Sequence, residues 1–522
     1  MHMTDLFRFI QQKLGFSLGL LIVFSLLLSS CGGGNSSTAA TLTVTDNLSP
    51  NPVLADTPSS AKKTLTQLID GQQVERSYLI RTPEKPSKDS YPIVFFFHGA
   101  DDNGEAWLSR NTQVSALIDS EEFIGIFPDA FQGNWNIDDT KGADDIEFVS
   151  LIVNDLQTIE GYNSGLIHAV GIYTGASLVN KLAKQTSIFT SIAPILSQQM
   201  ASLGEVVPTV PVSVFQVNTS ADNLVPINGG SGAYGTVFMS AKESADNWAS
   251  SFNCTMEPIS ASSRWNGYDI QKHTYGDCMD NKRVRYHIVE DADHSLLFSE
   301  NINLYKLIWI FFSYSDNSSP QNYKLLSLGD SYTIGQGVCA TCNFPEQLSS
   351  RLKDELPTQD SLELQIIAQT GWTTSDLINA ITTAQLEEDY NLVILLIGVN
   401  NQVQNKPSSV YETEFVELVN TAKSLANNNA SKLLVISIPD YGFTPFGQIF
   451  DPAEITIELD AYNKFAEDYC QDNGITYIYI TDITQQGLVN TDLVASDNLH
   501  PSPLAYSMFV DRMMPFALEK LH

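Results

Sequence analysis

Residues 324–331 read K-L-L-S-L-G-D-S, and the reading of these eight positions decides the fold of the second half of the chain. An apolar, β-rich run passes straight into Gly329-Asp330-Ser331. A sharp strand-to-helix turn at such a place presents a serine hydroxyl at the carboxyl edge of a strand. The tripeptide alone carries little weight, because short motifs recur by chance. Its partners give it meaning. His500 is the only histidine beyond residue 323 apart from the terminal His522, and it stands in S-D-N-L-H-P (496–501). Asp497, three residues earlier, can reach the imidazole Nδ1 across one turn. That leaves Nε2 to take the proton of a serine.

Outward from this stretch, strands and helices alternate. Apolar runs follow at 364–368 (L-Q-I-I-A), 392–398 (L-V-I-L-L-I-G), 433–439 (L-L-V-I-S-I-P) and 477–481 (Y-I-Y-I-T). Helical stretches such as 344–356 and 409–427 lie between them. Upstream, the polar segment S-Y-S-D-N-S-S-P-Q-N (313–322) interrupts the rhythm and reads as a linker. Before it, residues 76–312 show a second alternation. Its strands are expected at 92–97, 124–128, 168–173, 212–217 and 284–289. The rhythm predicts two α/β units with mainly parallel sheets, at 61–312 and 323–522.

From about residue 323 to the C-terminus, the chain resembles the SGNH (GDSL-type) hydrolases, whose sequence blocks occur here in order. The resemblance implies a flavodoxin-like domain with a parallel sheet and Ser331 as nucleophile. It implies Gly371 in A-Q-T-G-W-T-T and Asn400 in G-V-N-N as oxyanion donors, and Asp497 with His500 as the rest of the triad. One departure is Asn401, where the family usually has aspartate. The implied chemistry is hydrolysis of an acyl ester through an acyl-enzyme, with no metal or organic cofactor.

Residues 76–312 resemble the polyhydroxybutyrate-depolymerase and feruloyl-esterase branch of the α/β hydrolases. The resemblance rests on Phe97-His98-Gly99, Asn134-Trp135-Asn136 and Asp144–Phe148. It also rests on V-G-I-Y-T-G-A-S (170–177), and on Asp222 and His294 in the expected chain order. Gly171 and Gly175 keep the frame of a G-x-S-x-G elbow, but its centre is Tyr173. A phenol there would overshoot the histidine and fill an acyl pocket, and neither Thr174 nor Ser177 sits where it could substitute. The expectation is a degenerate site of Tyr173, Asp222 and His294, serving to hold a ligand or as a spacer.

The chain has 522 residues and a formal charge of −32, with no cluster of Lys and Arg, which argues against a nucleic-acid partner. Arg8 and Lys13 precede an apolar run from Leu14 to Leu28, followed by L-S-S-C (28–31) and three glycines. This resembles a bacterial lipoprotein leader (1–30), with Cys31 lipidated, a flexible tether over 31–60 and a cell-envelope location, outer membrane if the host is Gram-negative. An ordinary secretory signal with an incidental cysteine is the alternative. Export makes a disulfide between Cys254 and Cys278 the expected pairing. Cys339 and Cys342 read as a local disulfide, and Cys470 as a buried thiol. Two readings of the whole chain compete: a lipid-anchored hydrolase of an acylated glycan, polyester or small acyl ester, and a non-catalytic surface binding protein. A two-site esterase is a further variant.

Overall fold

The computed structural model describes residues 60–139, 142–159, 161–233, 235–265, 268–294, 304–314, 320–356 and 360–521. The expected leader (1–30), Cys31 and nearly all of the expected tether lie outside these residues. Among the described residues, no helix is long and apolar enough to cross a membrane.

The first part builds a ten-stranded mixed sheet. Its strands are β1 (Ser60–Ile69), β2 (Gln72–Arg81), β3 (Tyr91–Phe97), β4 (Ile124–Pro128), β5 (Tyr162–Ile172), β6 (Ser191–Ile195) and β7 (Ser213–Thr219). After a two-stranded ribbon, β8 (Gly230–Ser231) and β9 (Val237–Phe238), come β10 (Ile259–Trp265), β11 (Tyr268–Tyr275) and β12 (Val284–Val289). The order across the sheet is β1-β2-β4-β3-β5-β6-β7-β12-β11-β10. From β4 to β12 the neighbours are parallel, and the two strands added at each edge are antiparallel. The central strands read as near-continuous apolar runs because helices cover both faces: every residue of β4, β6 and β7 is buried. The reading of this sheet as mainly parallel therefore holds only for its centre. The disulfide between Cys254 and Cys278 ties together the chain on either side of the β10–β11 hairpin.

The second part builds a wholly parallel sheet from β13 (Asn322–Gly329), β14 (Ser361–Ala368), β15 (Leu392–Leu396), β16 (Leu433–Ile436) and β17 (Thr476–Ile478). Its order, β14-β13-β15-β16-β17, is the 2-1-3-4-5 arrangement of a doubly wound sheet. Leu325, Leu326 and Leu328 of β13 are all buried. The run Y-I-Y-I-T stops being a strand after Ile478. There the Ser437 hydroxyl accepts the backbone N–H groups of Ile480 (2.7 Å) and Thr481 (3.1 Å), and a helical turn, Thr481–Thr484, begins. Around 313–322, a helix runs Leu304–Tyr314 and β13 starts at Asn322. Ile310 of that helix is buried in the core of the second sheet, while its neighbours Trp309, Phe311 and Phe312 pack in the core of the first.

Candidate active site

Register brings the second part's predicted residues to one edge. Gly329, at the end of β13, pairs with Ala368 of β14 on one side and Leu396 of β15 on the other. The three strands thus end level, and Ser331, Gly371 and Asn400 follow within four residues of those ends. Chain order reverses at this point, since β14 and β15 lie on opposite sides of β13, and such an edge opens a crevice for a ligand.

Ser331 is buried and opens the single-turn helix Ser331–Ile334. Asp330 caps the turn, its Oδ1 accepting the Tyr332 N–H at 3.0 Å, and the Ser331 carbonyl accepts the N–H groups of Gly335 (3.1 Å) and Gln336 (3.0 Å). Gly371 turns the chain at φ 87°, a conformation that favours glycine. Asn400 is anchored by donating from Nδ2 to the Trp372 carbonyl at 2.9 Å. An amide nitrogen carries two hydrogens, so one remains to donate to a developing oxyanion. Asn401 is fully buried. Its Oδ1 accepts the Thr374 N–H (2.9 Å), and its Nδ2 donates to the Thr374 hydroxyl (2.6 Å), which itself donates to Glu414. A carboxylate could not supply that donor, so the asparagine suits its surroundings.

The predicted acid and base, Asp497 and His500, come from a short loop closed by the bridge between Val494 and Pro501. His500 Nδ1 lies 2.7 Å from Asp497 Oδ2, while Asp497 Oδ1 accepts the backbone N–H groups of Leu499 and His500, each at 3.0 Å. Burial works to raise the Asp497 pKa. The backbone and ring of His500 and the Leu499 N–H outweigh it and hold the carboxyl below its ordinary value. The acid is therefore an anion aimed at the imidazole, as orientation and stabilisation of an imidazolium require. The loop meets the turn that holds Ser331: the Tyr332 and His500 rings are 5.7 Å apart, and Asp497 Oδ2 lies 2.6 Å from where a Cβ on Gly337 would stand. Among the described residues, no hydrogen bond joins Ser331 to His500; such bonds often tighten only when substrate is present.

In the first part, the predicted trio also converges. His294 Nδ1 lies 2.6 Å from Asp222 Oδ2. Tyr173 sits between β5 and the helix Thr174–Gln185 at φ 57°, ψ −117°, a strained backbone for a bulky residue. Its ring lies 4.5 Å from the His294 ring, tilted by 33°, and so close to Gly99 that a Cβ there would stand 2.7 Å from it. Burial, reinforced by the charges of Asp222 and Asp293, raises the phenol's pKa above its ordinary value. Gly171 and Gly175 are required by packing, since a Cβ on either would overlap backbone atoms. The Ser177 hydroxyl is buried and engaged with that of Ser197 at 2.8 Å.

Sequence reasoning missed the Trp372 carbonyl that anchors Asn400, and the buried state of Asp330. Asp330 stood in the quoted motif, but burial has no signature in a tripeptide. Cys339 and Cys342 form the local disulfide, and Cys470 is a buried free thiol in the helix Pro452–Asp472.

Residues 327–508 match the model of the GDSL-like lipase/acylhydrolase family, so the C-terminal part carries a GDSL-type hydrolase domain. Among solved structures, a lipolytic G-D-S-L protein from Veillonella parvula is 14% identical, with a TM-score of 0.30, covering 37% of this chain and 96% of its own. An acetyl xylan esterase from Aspergillus awamori is 13% identical, with a TM-score of 0.36, covering 48% of this chain and 99% of its own. A single-substitution variant of an acetyl xylan esterase from Geobacillus stearothermophilus is 17% identical, with a TM-score of 0.30, covering 38% and 96%. No curated protein matches the chain.

Proposed function

We propose that the chain is an exported, lipid-anchored serine ester hydrolase whose chemistry resides in the C-terminal domain. Ser331 attacks the ester carbonyl as His500 takes its proton, and Asp497 steadies the imidazolium. The backbone N–H groups of Ser331 and Gly371 and the Asn400 amide receive the oxyanion. The alcohol leaves, and water releases the acid. One observation carries this reading: the hydrogen-bonded Asp497–His500 pair abuts the turn that holds Ser331, at the edge where Gly371 and Asn400 also emerge. The substrate class is an acyl ester, with esters of carbohydrates included.

The first part is proposed as an α/β-hydrolase unit with tyrosine in the nucleophile's place, retained to hold a ligand. Its strand order, its strained turn at Tyr173 and the Asp222–His294 pair support this. Hydrolysis of p-nitrophenyl acetate by the full chain tests the activity, and a panel of acetyl, longer acyl and feruloyl esters tests the substrate. No turnover in the wild type, or turnover surviving Ser331→Ala, defeats the assignment. For the anchor, Cys31→Ser should abolish membrane association; unchanged detergent partitioning would refute lipidation.

A further inference from the structure

Two cations of the large sheet, and Arg283 just ahead of β12, meet the end of one helix of the hydrolase domain. Lys272 of β11 lies 2.8 Å from Glu355 Oε1, and Arg285 of β12 pairs with Glu355 Oε2. Lys272 also donates to the Asp354 carbonyl at 3.4 Å and Arg285 to the same carbonyl at 3.2 Å. Arg283 donates to the Glu355 carbonyl at 3.3 Å and to the Phe311 carbonyl at 3.1 Å. The side chains of Lys272 and Arg285 are only 7% and 1% exposed, so these charges have left water and depend on Glu355. The last carbonyls of a helix are its negative end, which suits cations.

Glu355 closes the helix Phe344–Glu355, and the opposite end of that helix supports the nucleophile turn. Asn343, its N-cap, donates from Nδ2 to the Ile334 carbonyl at 3.2 Å and to the Ala340 carbonyl at 3.0 Å. Along its side, Gln347 donates to the Pro503 carbonyl at 3.1 Å, and Arg351 pairs with Asp511 and donates to the Ser507 hydroxyl at 2.6 Å. Those partners lie on the helix Pro503–Leu521, which begins three residues after His500. One rod therefore bears on Ser331's turn and on the element that follows the base, and the first part of the chain grips its far end.

The geometry points to Glu355 as a positioning residue: held by Lys272 and Arg285, it fixes the helix that aligns the Ser331 turn with His500. This gives the first part a role in catalysis that needs no chemistry of its own. It rests on the reading of Ser331 as nucleophile and extends it.

The test uses the full chain with Glu355→Gln, which keeps shape but takes from two buried cations the carboxylate that pairs with them, leaving only the more distant charge of Asp354. Misalignment of reacting groups by a fraction of an ångström costs rate more than affinity. The expected result is a fall of about tenfold in kcat on p-nitrophenyl acetate with KM changed less than about twofold. Amide exchange should quicken at residues 331–335 and stay unchanged in the helix Pro452–Asp472, a contrast that general destabilisation would not produce. Lys272→Met, which leaves the Arg285–Glu355 pair, should show the same pattern more weakly and carries the test if Glu355→Gln does not fold. Wild-type kcat with unchanged exchange at the turn in whichever variant folds overturns the proposal. Should wild type hydrolyse no ester while exchange at 331–335 still quickens selectively, the reading of the site falls and the mechanical link stands.

Discussion

Asp330 offers the sharpest test of the energetics of the nucleophile turn. Its Oδ1 accepts the Tyr332 N–H, but its Oδ2 is buried without a partner among the described residues. Burial raises its pKa from 3.8 to about 7, against the lowering effect of the Tyr332 N–H and its own. A carboxyl that holds its proton to about pH 7 when folded, and loses it near pH 4 when unfolded, costs the fold about 4 kcal/mol once fully ionised. The sign follows from the raised value. The stability is fully present below pH 3.8 and is lost as pH rises through about 7. Asp330→Asn keeps an oxygen for the Tyr332 N–H and cannot ionise. Relative to wild type it should be within about 1 kcal/mol at pH 4 and about 4 kcal/mol more stable at pH 8. For a domain of this size, the gap at pH 8 is on the order of 10 °C in melting temperature, read by calorimetry at both pH values. The carboxylate would also sit one residue from Ser331, whose backbone N–H is assigned to receive the oxyanion. Turnover by wild type should therefore fall above pH 7, and that fall should flatten in the variant. An equal stability difference at pH 4 and pH 8, or a variant less stable at pH 8, refutes the reasoning.

Ser331→Ala and His500→Ala should each remove nearly all ester hydrolysis, and the double variant should be hardly worse, because triad members act as a unit. Asn400→Ala should lower kcat by about 10²–10³, the usual cost of one oxyanion donor; a loss below about threefold would remove Asn400 from the hole. In a Ser331→Ala background, Tyr173→Ser should give weak turnover that His294→Ala abolishes, since the strained turn and the Asp222–His294 pair are both in place. Turnover in that background with Tyr173 intact would show that the first part is itself an esterase.

Local chemistry was legible in the sequence, and assembly was less so. The Asp497–His500 pair could be read because its spacing sets its geometry, and Ser331 because an apolar strand runs directly into it. The central strands of both sheets, β6 apart, announced themselves as buried apolar runs. Other strands went unread, each for a local reason. β1 alternates exposed and partly buried residues along an edge, β10 is rich in serine, and β6 is five residues long with Pro194 inside it. The grip on Glu355 has no sequence signal at all. Its cations lie 70 and 83 residues away, and burial alone distinguishes them from solvated surface charges.

Asp222 and His294 in the first part, proposed as remnants of a catalytic pair, are also held by packing. Asp222 Oδ1 accepts the N–H groups of Leu224 and Val225, each at 2.8 Å, so the carboxylate closes its own turn whether or not a histidine is present. Its Oδ2 then needs a partner, because a buried carboxylate oxygen left alone is costly, and His294 supplies one. The imidazole in turn has its face against the Tyr173 ring, which is pressed onto Gly99. Each of the three residues is thus held by the next, and removing any one exposes or orphans another. Tyr173→Ser would leave the His294 face without its ring, so the regained hydroxyl comes with a loss of packing on the order of 1 kcal/mol or more. Activity gained at Tyr173 and stability lost there should therefore appear together, and a gain with no drop in melting temperature would mean that the ring does not hold the imidazole.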